Sequence, residues 1–248
     1  MEYIIYKTRH QQTVILKLYL PRHTLKWTTG FITLLMKKNL FIAFEGIDGS
    51  GKSTQVKLLS EHLQNAGHKI YSTFEPSKSP IGSIIRDIFS HRIEADHRVI
   101  AGLFVADRLD HLLNKTNGIL KKMEEGYTII TDRYYLSSYA YHGIHMPLEW
   151  VIEANSLSAK LLRPDLNIYI DISAEISMSR LIKGRSSMEL YETVENLTKV
   201  RNKYFEAIER LKLEEHIFIT DGDRSPDLIA ADIWNQVSTT FVANKPHS

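Results

Sequence analysis

The segment Gly46–Ser53, with the sequence GIDGSGKS, constrains the fold of this chain more than any other feature. It matches the pattern G-x-x-x-x-G-K-[ST] and follows the apolar run Leu40–Phe44, which has the length of a buried strand. After it, Val56, Leu59 and Leu63 recur at helical spacing. A strand, a glycine-rich turn and a helix together form an anion-binding unit, so we expect nucleotide binding. The alternative is a glycine-rich turn that matches the pattern by chance.

Each residue type in this segment has a physical reason to be there. Glycines let backbone N–H groups converge on phosphate oxygens with no Cβ in the way. We expect Lys52 to reach the β- and γ-phosphates and the Ser53 hydroxyl to hold Mg²⁺. The residues predicted to bind ATP are Gly46, Ile47, Asp48, Gly49, Ser50, Gly51, Lys52, Ser53 and Thr54. The motif identifies the phosphate donor and leaves the acceptor open.

Short apolar runs alternate with longer helical patterns along the rest of the chain. The predicted strands are Leu40–Phe44, His68–Phe74, Tyr127–Asp132, Leu166–Ile172 and His216–Asp221. After the helix that follows the glycine-rich turn, helices are predicted over about Pro80–Ser90, Asp96–Glu125, Pro147–Leu162, Ala174–Ile182, Met188–Leu213 and Pro226–Phe241. This alternation predicts an α/β fold with a mostly parallel five-stranded sheet flanked by helices.

Composition limits the class of molecule. With 248 residues, 43% of them hydrophobic, the chain can bury a sizeable core. Without cysteine it has no disulfide, thiolate metal site or cysteine nucleophile, and a reducing cytoplasm fits. A net charge of +2 argues against a nucleic-acid partner. No apolar run approaches the roughly 20 residues of a membrane-spanning helix, so no membrane partner is expected.

Residues 1–35 carry a net charge of +4, whereas the remainder carries −2. Translation starting at Met36, a poorly ordered leader and a targeting peptide are three readings of this segment. The targeting pattern is poor because Lys17 interrupts the apolar stretch Val14–Leu20 and no cleavage site follows. We therefore predict an N-terminal extension over residues 1–35 and a single domain over residues 36–248.

Several blocks of sequence after the extension occur in the order found in one known family. They are FEGIDGSGKST (Phe44–Thr54), EP (Glu75–Pro76), Ile85–Arg86, LFVADR (Leu103–Arg108), TDRYYLSSYAYHG (Thr131–Gly143) and RPDLNIYIDI (Arg163–Ile172). From about Lys38 to Phe241 the chain resembles the thymidylate kinases, which phosphorylate dTMP with ATP. The resemblance implies a P-loop NTPase three-layer sandwich of the nucleoside-monophosphate-kinase type, a lid over about residues 180–192, and a homodimer to which the Asp96–Glu125 region contributes.

Phe104 and Arg108 lie one helical turn apart, so both can project from the same face. The resemblance implies that they stack on thymine and contact its O4. The alternative is a core phenylalanine beside a solvated Asp107–Arg108 pair. The resemblance also gives Arg133, at the end of a strand, to the dTMP phosphate together with Arg86. For Arg86 the alternative is an exposed helix arginine.

Ser138, Tyr141 and His142 are expected in a loop after Arg133, where the resemblance implies contacts to the base edge and sugar. His142 replaces a glutamine that is frequent in bacterial members, and a surface loop histidine is the alternative. Asp48 resembles the residue that contacts the deoxyribose 3′-OH; a loop aspartate that shapes the turn is its alternative. The predicted dTMP-binding residues are Asp48, Glu75, Pro76, Arg86, Phe104, Arg108, Arg133, Ser138, Tyr141 and His142.

The acceptor phosphate is already anionic, so catalysis should come from alignment and charge neutralisation rather than from a strong base. Gly49 stands where some family members carry an arginine, which moves the catalytic arginine to the lid, with Arg185 the first candidate and Arg180 the second. The predicted catalytic residues are Lys52, Arg133, Arg180 and Arg185, and the predicted metal ligands are Ser53 and Asp132. A kinase for another pyrimidine monophosphate and a P-loop regulatory NTPase remain alternatives.

Overall fold

The computed structural model describes residues 3–7, 13–17, 39–184 and 191–243. The chain divides into two units, and one of them comprises Asn39–Ser238. The other contains an antiparallel hairpin of strands β1 (Tyr3–Lys7) and β2 (Thr13–Lys17), in which Tyr3 pairs with Lys17. The hairpin is not among the predicted elements, and the extension at residues 1–35 stays a prediction.

Five further strands and ten helices follow in the described residues from Asn39 onward. The strands are β3 (Phe41–Glu45), β4 (Ile70–Phe74), β5 (Thr128–Asp132), β6 (Leu166–Asp171) and β7 (Ile217–Asp221). The helices are α1 (Lys52–Asn65), α2 (Pro80–Phe89), α3 (His97–Leu113), α4 (Ile119–Glu124), α5 (Tyr135–His142), α6 (Leu148–Ala154), α7 (Ser156–Leu161), α8 (Ala174–Gly184), α9 (Val194–Leu211) and α10 (Pro226–Ala243).

The five strands form one parallel sheet in the order β4-β5-β3-β6-β7. At the centre of the sheet, Ile42 of β3 pairs with Ile130 on one side and Leu166 on the other. Every side chain of β3 is buried, as expected for a strand covered on both faces by helices. The predicted α/β architecture is therefore confirmed, and the carboxyl ends of β3, β4 and β5 meet at one edge.

Two predicted helices are interrupted. The predicted helix Asp96–Glu125 is α3 and α4, separated at Asn114, whose Oδ1 accepts hydrogen bonds from the backbone N–H of Thr116 and Asn117. The predicted helix Pro147–Leu162 is α6 and α7, separated at Asn155. In both places an asparagine amide competes with the helical hydrogen-bond pattern.

Two further boundaries differ from the prediction. Helix α9 begins at Val194 rather than near Met188, since the Thr193 hydroxyl accepts a hydrogen bond from Asn196 N and caps the helix. Met188 itself lies outside the described residues. The segment after Arg133 is helix α5, not a loop. Its aromatic side chains are buried against the core, and this packing stabilises a helical backbone.

No helix in the described part of the chain is long and apolar enough to span a bilayer.

Candidate active site

A cavity of about 1180 Å³ opens at the carboxyl edge of the sheet and brings most of the predicted site residues together. The predicted residues in its lining are Asp48, Gly49, Ser50, Gly51, Lys52, Ser53, Thr54, Glu75, Pro76, Arg86, Phe104, Asp132, Arg133, Ser138, Tyr141, His142 and Arg180. Gly46, Ile47 and Arg108 lie outside this lining. Arg185 falls outside the described residues.

The loop between β3 and α1 has the backbone that its glycines permit. Gly46 adopts a φ of +143°, and a Cβ there would lie 2.6 Å from the Ile170 carbonyl oxygen. Helix α1 begins after Gly51, which has a φ of +95° and supplies no side-chain cap. The first N–H groups of α1 therefore keep the hydrogen-bonding capacity that an anion uses.

Lys52 is buried in this loop and donates from Nζ to the carbonyl oxygens of Gly46 and Ile47, each at 3.0 Å. Burial, together with the charge of the neighbouring Arg133, lowers the pKa of Lys52 to about 8, although carboxylates such as Asp132 oppose the shift. The ammonium therefore remains the main form near pH 7.

Next to Lys52, the Ser53 hydroxyl donates to Asp132 Oδ2 at 2.7 Å. Two side-chain oxygen atoms thus lie side by side next to the phosphate loop, and hard divalent cations prefer oxygen. Among the described residues no group of three or more His, Asp or Glu side chains is arranged to hold a metal ion. Mg²⁺ commonly takes only one or two protein ligands and completes its shell with phosphates and water, so this pair suits a nucleotide-bound ion.

Arg133, Asp48 and Tyr141 form a second charged cluster on the cavity wall. Arg133 Nη2 donates to Asp48 Oδ1 and, at 3.2 Å, to the Tyr141 hydroxyl, which itself donates to Asp48 Oδ2 at 2.8 Å. Burial pushes the pKa of Asp48 upward, but Arg133 and Lys52 outweigh it, and the pKa is lower than usual. The cluster keeps a carboxylate and a guanidinium ionised side by side.

Arg108 lies behind the cavity wall, with 1% of its surface exposed. Its Nε and Nη2 donate to Glu75 Oε2 at 2.9 and 2.6 Å, and its Nη1 donates to Ser138 Oγ at 3.1 Å and to Asn155 Oδ1. The alternative of a solvated Asp107–Arg108 pair is wrong, since both side chains are buried. A direct contact between Arg108 and the base stays a prediction.

Phe104 and His142 form an aromatic part of the cavity lining, called here the aromatic or base end. Their ring centroids are 5.1 Å apart, and only 2% of His142 is exposed, so the alternative of a surface loop histidine is wrong. Neither ring nitrogen of His142 has a hydrogen-bond partner among the described residues. Burial, with a smaller contribution from Arg108, lowers the pKa of His142 to about 3. The imidazole is thus neutral and retains hydrogen-bonding capacity beside an aromatic ring.

Asp107 lies behind the site and has a supporting role there that the sequence analysis did not predict. Its carboxylate accepts from Ser77 N and Ser77 Oγ at 2.6 Å each and from Ser79 Oγ at 2.7 Å, which shapes the turn before α2. Arg86 on α2 donates to the carbonyl oxygens of Pro76 and Ser77, at 3.0 and 2.5 Å. Arg86 is exposed and also lines the cavity. A buried carboxylate therefore fixes the loop on which Arg86 rests.

Arg180 reaches the other side of the phosphate loop from α8. It donates to the carbonyl oxygens of Gly49 and Gly222, at 3.3 and 2.9 Å, and lies 3.6 Å from Asp223. These contacts place a guanidinium beside the loop, in the part of the predicted lid that the structure describes.

Glu45, Ser137 and Tyr204 form a buried polar cluster behind Arg133 that the sequence analysis also missed. Glu45 is the last residue of β3, and Tyr204 comes from α9, 159 positions along the chain. The glutamate stands directly before the phosphate loop, but nothing local in the sequence connects it with Tyr204.

Comparison with known proteins identifies the family. The family described as "Thymidylate kinase" matches residues 44–233. The chain is 37% identical to a "Probable thymidylate kinase" of Caldivirga maquilingensis over 198 residues, which cover 78% of this chain and 91% of the relative. It is 39% identical to a "Probable thymidylate kinase" of Pyrobaculum aerophilum, with 78% and 93% covered. A "Thymidylate kinase" of Thermosipho africanus is 36% identical, with 78% and 95% covered. This chain belongs to the thymidylate kinase family.

Proposed function

We propose that this chain transfers the γ-phosphate of ATP to dTMP, giving dTDP and ADP. The observation that carries the proposal is one cavity that joins a phosphate loop to an aromatic end with a neutral histidine. Family membership supports the same reaction. The phosphate loop suits the donor, and the cavity of about 1180 Å³ that also includes Phe104 and His142 in its lining has room for an acceptor nucleotide.

Transfer of the phosphoryl group depends on alignment and charge neutralisation. The N–H groups of Gly49–Ser53 and the Lys52 ammonium would hold the β- and γ-phosphates of ATP. Ser53 and Asp132 would hold Mg²⁺, which neutralises phosphate charge when it is bound. The nucleophile is a phosphate oxygen of dTMP that is already anionic, so no side chain has to remove a proton.

The acceptor would lie between the charged cluster and the aromatic end. Arg133 and Arg86 would bind the phosphate of dTMP, while Asp48 and Tyr141 would face its sugar. The base would lie against Phe104, with His142 and Ser138 at its edge and Glu75 and Pro76 in the wall. The neutral imidazole suits an uncharged base.

Charge that develops on the transferred group needs a further cation, and Arg180 and Arg185 of the proposed lid are the candidates. The contact of Arg180 with the phosphate loop supports it. Lid residues would also exclude water, which would otherwise accept the phosphoryl group.

A homodimer in the cytoplasm is part of the same proposal. Val99 and Leu113 on α3, Trp150 on α6 and Leu157 on α7 are exposed, and these three helices pack on one another. Such a surface suits a second copy of the chain. Light scattering on the native protein measures this directly, and a monomer at micromolar concentration would reject the dimer.

ADP release with dTMP, dUMP, dCMP or water as the acceptor tests the reaction. We expect dTMP to give the highest kcat/KM. Lys52→Ala should lower kcat by about 10²–10³, the usual cost of removing one charge-stabilising donor. Lys57→Ala is the matched control, because Lys57 lies on the same helix with its side chain 76% exposed. Slow ATP turnover that no monophosphate accelerates would favour a regulatory NTPase instead.

A further inference from the structure

Glu45 is a buried carboxylate that the transfer reaction does not use directly. It is completely buried at the carboxyl end of β3, and it is not among the residues that line the cavity. Its Oε1 accepts from Tyr134 N at 2.9 Å, and its Oε2 accepts from Ser137 Oγ at 2.5 Å and from Tyr204 OH at 3.1 Å. Three donors from two helices and a strand end thus converge on one side chain.

The same two hydroxyl groups contact Arg133. Arg133 Nη1 donates to Ser137 Oγ at 3.1 Å, to Tyr204 OH at 3.4 Å and to the Gly46 carbonyl oxygen at 3.2 Å. Ser137 donates its single proton to Glu45, so the Tyr204 hydroxyl, 2.7 Å from Ser137 Oγ, donates either to Ser137 or to Glu45. In both cases the remaining lone pairs of the two hydroxyl groups are left to accept from Arg133. An ionised Glu45 therefore sets the direction of both hydroxyl groups.

Glu45 also fixes the backbone beside Arg133. Arg133 adopts a φ of +76°, in the left-handed region that non-glycine residues rarely occupy. The hydrogen bond from Tyr134 N to Glu45 ties down the next peptide group, so the carboxylate stabilises a conformation that the chain would otherwise avoid. This conformation directs the guanidinium toward Asp48 and the cavity.

We propose that ionised Glu45 is a positioning residue for Arg133, which it holds through Ser137, Tyr204 and the peptide group of Tyr134. The proposal rests on the proposed function, in which Arg133 binds the acceptor phosphate. A protonated Glu45 would keep one oxygen as an acceptor but would turn the other into a donor, and it could no longer orient both hydroxyl groups.

Protonation of Glu45 falls within the accessible pH range. Burial raises its pKa to about 7, although the hydrogen bond from Ser137 and the charge of Arg133 oppose the shift. The charged and titratable groups that face Glu45 are Lys52 of α1, Arg108 of α3, Arg133 before α5, Tyr169 of β6 and Tyr204 of α9. The tyrosine pKa values are raised by burial, so these hydroxyl groups stay protonated.

The test compares wild type with Glu45→Gln, since glutamine has the shape of a protonated glutamate. Equilibrium binding of dTMP and KM for dTMP are measured from about pH 6 to about pH 8.5. We expect both constants to be about tenfold higher in the variant at the upper end, the equivalent of one charge-assisted hydrogen bond. The ratio of variant to wild type should fall toward one as the pH drops below about 6.5. KM for ATP should change less than twofold.

The phosphate of dTMP itself titrates near about pH 6, but this affects wild type and variant equally and cancels in the ratio. Glu215→Gln is the matched control. Glu215 is also buried with a raised pKa, accepts from Tyr135 OH at 2.6 Å, and precedes β7 at the opposite edge of the sheet. We expect it to leave the affinity for dTMP within twofold.

Tyr204→Phe removes one of the two linking hydroxyl groups and gives a second measurement if Glu45→Gln does not fold. A several-fold loss of affinity for dTMP with unchanged KM for ATP supports the proposal. A ratio that stays at one across the pH range, or an equal effect of Glu215→Gln, overturns it. If wild type itself does not phosphorylate dTMP, the proposed function fails, and binding of dTMP still decides the role of Glu45.

Discussion

Two buried carboxylates, Glu75 in the cavity lining and Glu45 behind it, support an arginine in different ways. At the base end, Glu75 forms a direct ion pair with Arg108, whose Nη2 lies 2.6 Å from Glu75 Oε2. At the phosphate end, Glu45 forms no ion pair with a described residue and reaches Arg133 through two hydroxyl groups, one of them that of Ser137, and through a peptide group. The ion pair with Glu75 holds the guanidinium of Arg108 behind the cavity wall. Arg133, which Glu45 supports only indirectly, lines the cavity.

This difference matches the ligand expected at each end. Around Phe104, Arg108 is paired with a carboxylate and the pKa of His142 is lowered to about 3, so neither side chain brings an unpaired charge to the base. A neutral pyrimidine fits there without an unpaired charge beside it. At the other end, Lys52 and Arg133 supply cations for phosphate groups.

Breaking the direct pair should have the largest effect on stability. Arg108→Met leaves the buried Glu75 carboxylate without its guanidinium partner and with only His111 Nδ1, at 3.3 Å, beside it. We therefore expect the free energy of unfolding to fall by about 3–5 kcal/mol. Denaturant unfolding followed by circular dichroism measures the change. The double variant Arg108→Met/Glu75→Gln should recover part of the loss, because the buried charge is then gone. A loss below about 1 kcal/mol in the single variant would mean that the pair is solvated.

Glu45→Gln should have a smaller effect on stability, and one that depends on pH. The pKa of Glu45 is raised from 4.5 to about 7, so the folded state binds this proton more tightly than the unfolded chain. The stability from Glu45 is therefore fully present below about pH 4.5 and is lost as pH rises through about 7. Glutamine does not ionise, so the Glu45→Gln variant does not lose stability as the pH rises through this range.

Relative to wild type, Glu45→Gln should gain on the order of 3 kcal/mol between about pH 4.5 and pH 8, which is the linkage value of the shift. Urea unfolding at four pH values measures the difference. The stability of Glu45→Gln relative to wild type should thus rise toward pH 8, while its affinity for dTMP relative to wild type falls. A constant difference across this range would show that Glu45 does not titrate as a buried carboxylate.

The local features of the fold and site are predictable from the sequence. The phosphate loop at Gly46–Ser53 and the five strands depend on contiguous residue patterns, and the structure has them where these patterns occur. The structure also brings Phe104, Arg133 and Tyr141 to the same cavity, although their roles there remain predictions.

The long-range features are not predictable from one sequence. Nothing near Glu45 indicates that its partner Tyr204 lies 159 residues away. From the local sequence alone, an arginine on a helix is expected to be solvated. The buried partner of Arg108, Glu75, lies 33 positions earlier, and no local pattern connects the two. Helix α5 reads as a polar loop because its burial comes from packing against α9, and tertiary packing outweighs local propensity.

Asp107→Asn should affect the acceptor end through Arg86. Asparagine keeps one acceptor oxygen but loses the second, so at least one of the hydrogen bonds from Ser77 and Ser79 is lost. We expect a loss of about 1–2 kcal/mol in the free energy of unfolding and a several-fold rise in KM for dTMP. Asp110→Asn, on the same helix and outside the cavity lining, is the control. An unchanged KM for dTMP in Asp107→Asn would show that Asp107 does not influence the acceptor site through Arg86.

His142→Gln should have the smallest effect, and it tests whether His142 is uncharged when dTMP binds. Both side chains are neutral and can donate or accept a hydrogen bond, so we expect KM for dTMP to change by less than about fivefold, or about 1 kcal/mol. The ratio of variant to wild type should be constant from about pH 5.5 to pH 8.5, because an imidazole with a pKa near 3 does not titrate there. A step near pH 6 in wild type that disappears in the variant would mean that His142 carries charge when dTMP binds. His142→Leu removes the hydrogen-bonding atoms and should raise KM further than glutamine does, since the base edge would then face a purely apolar wall.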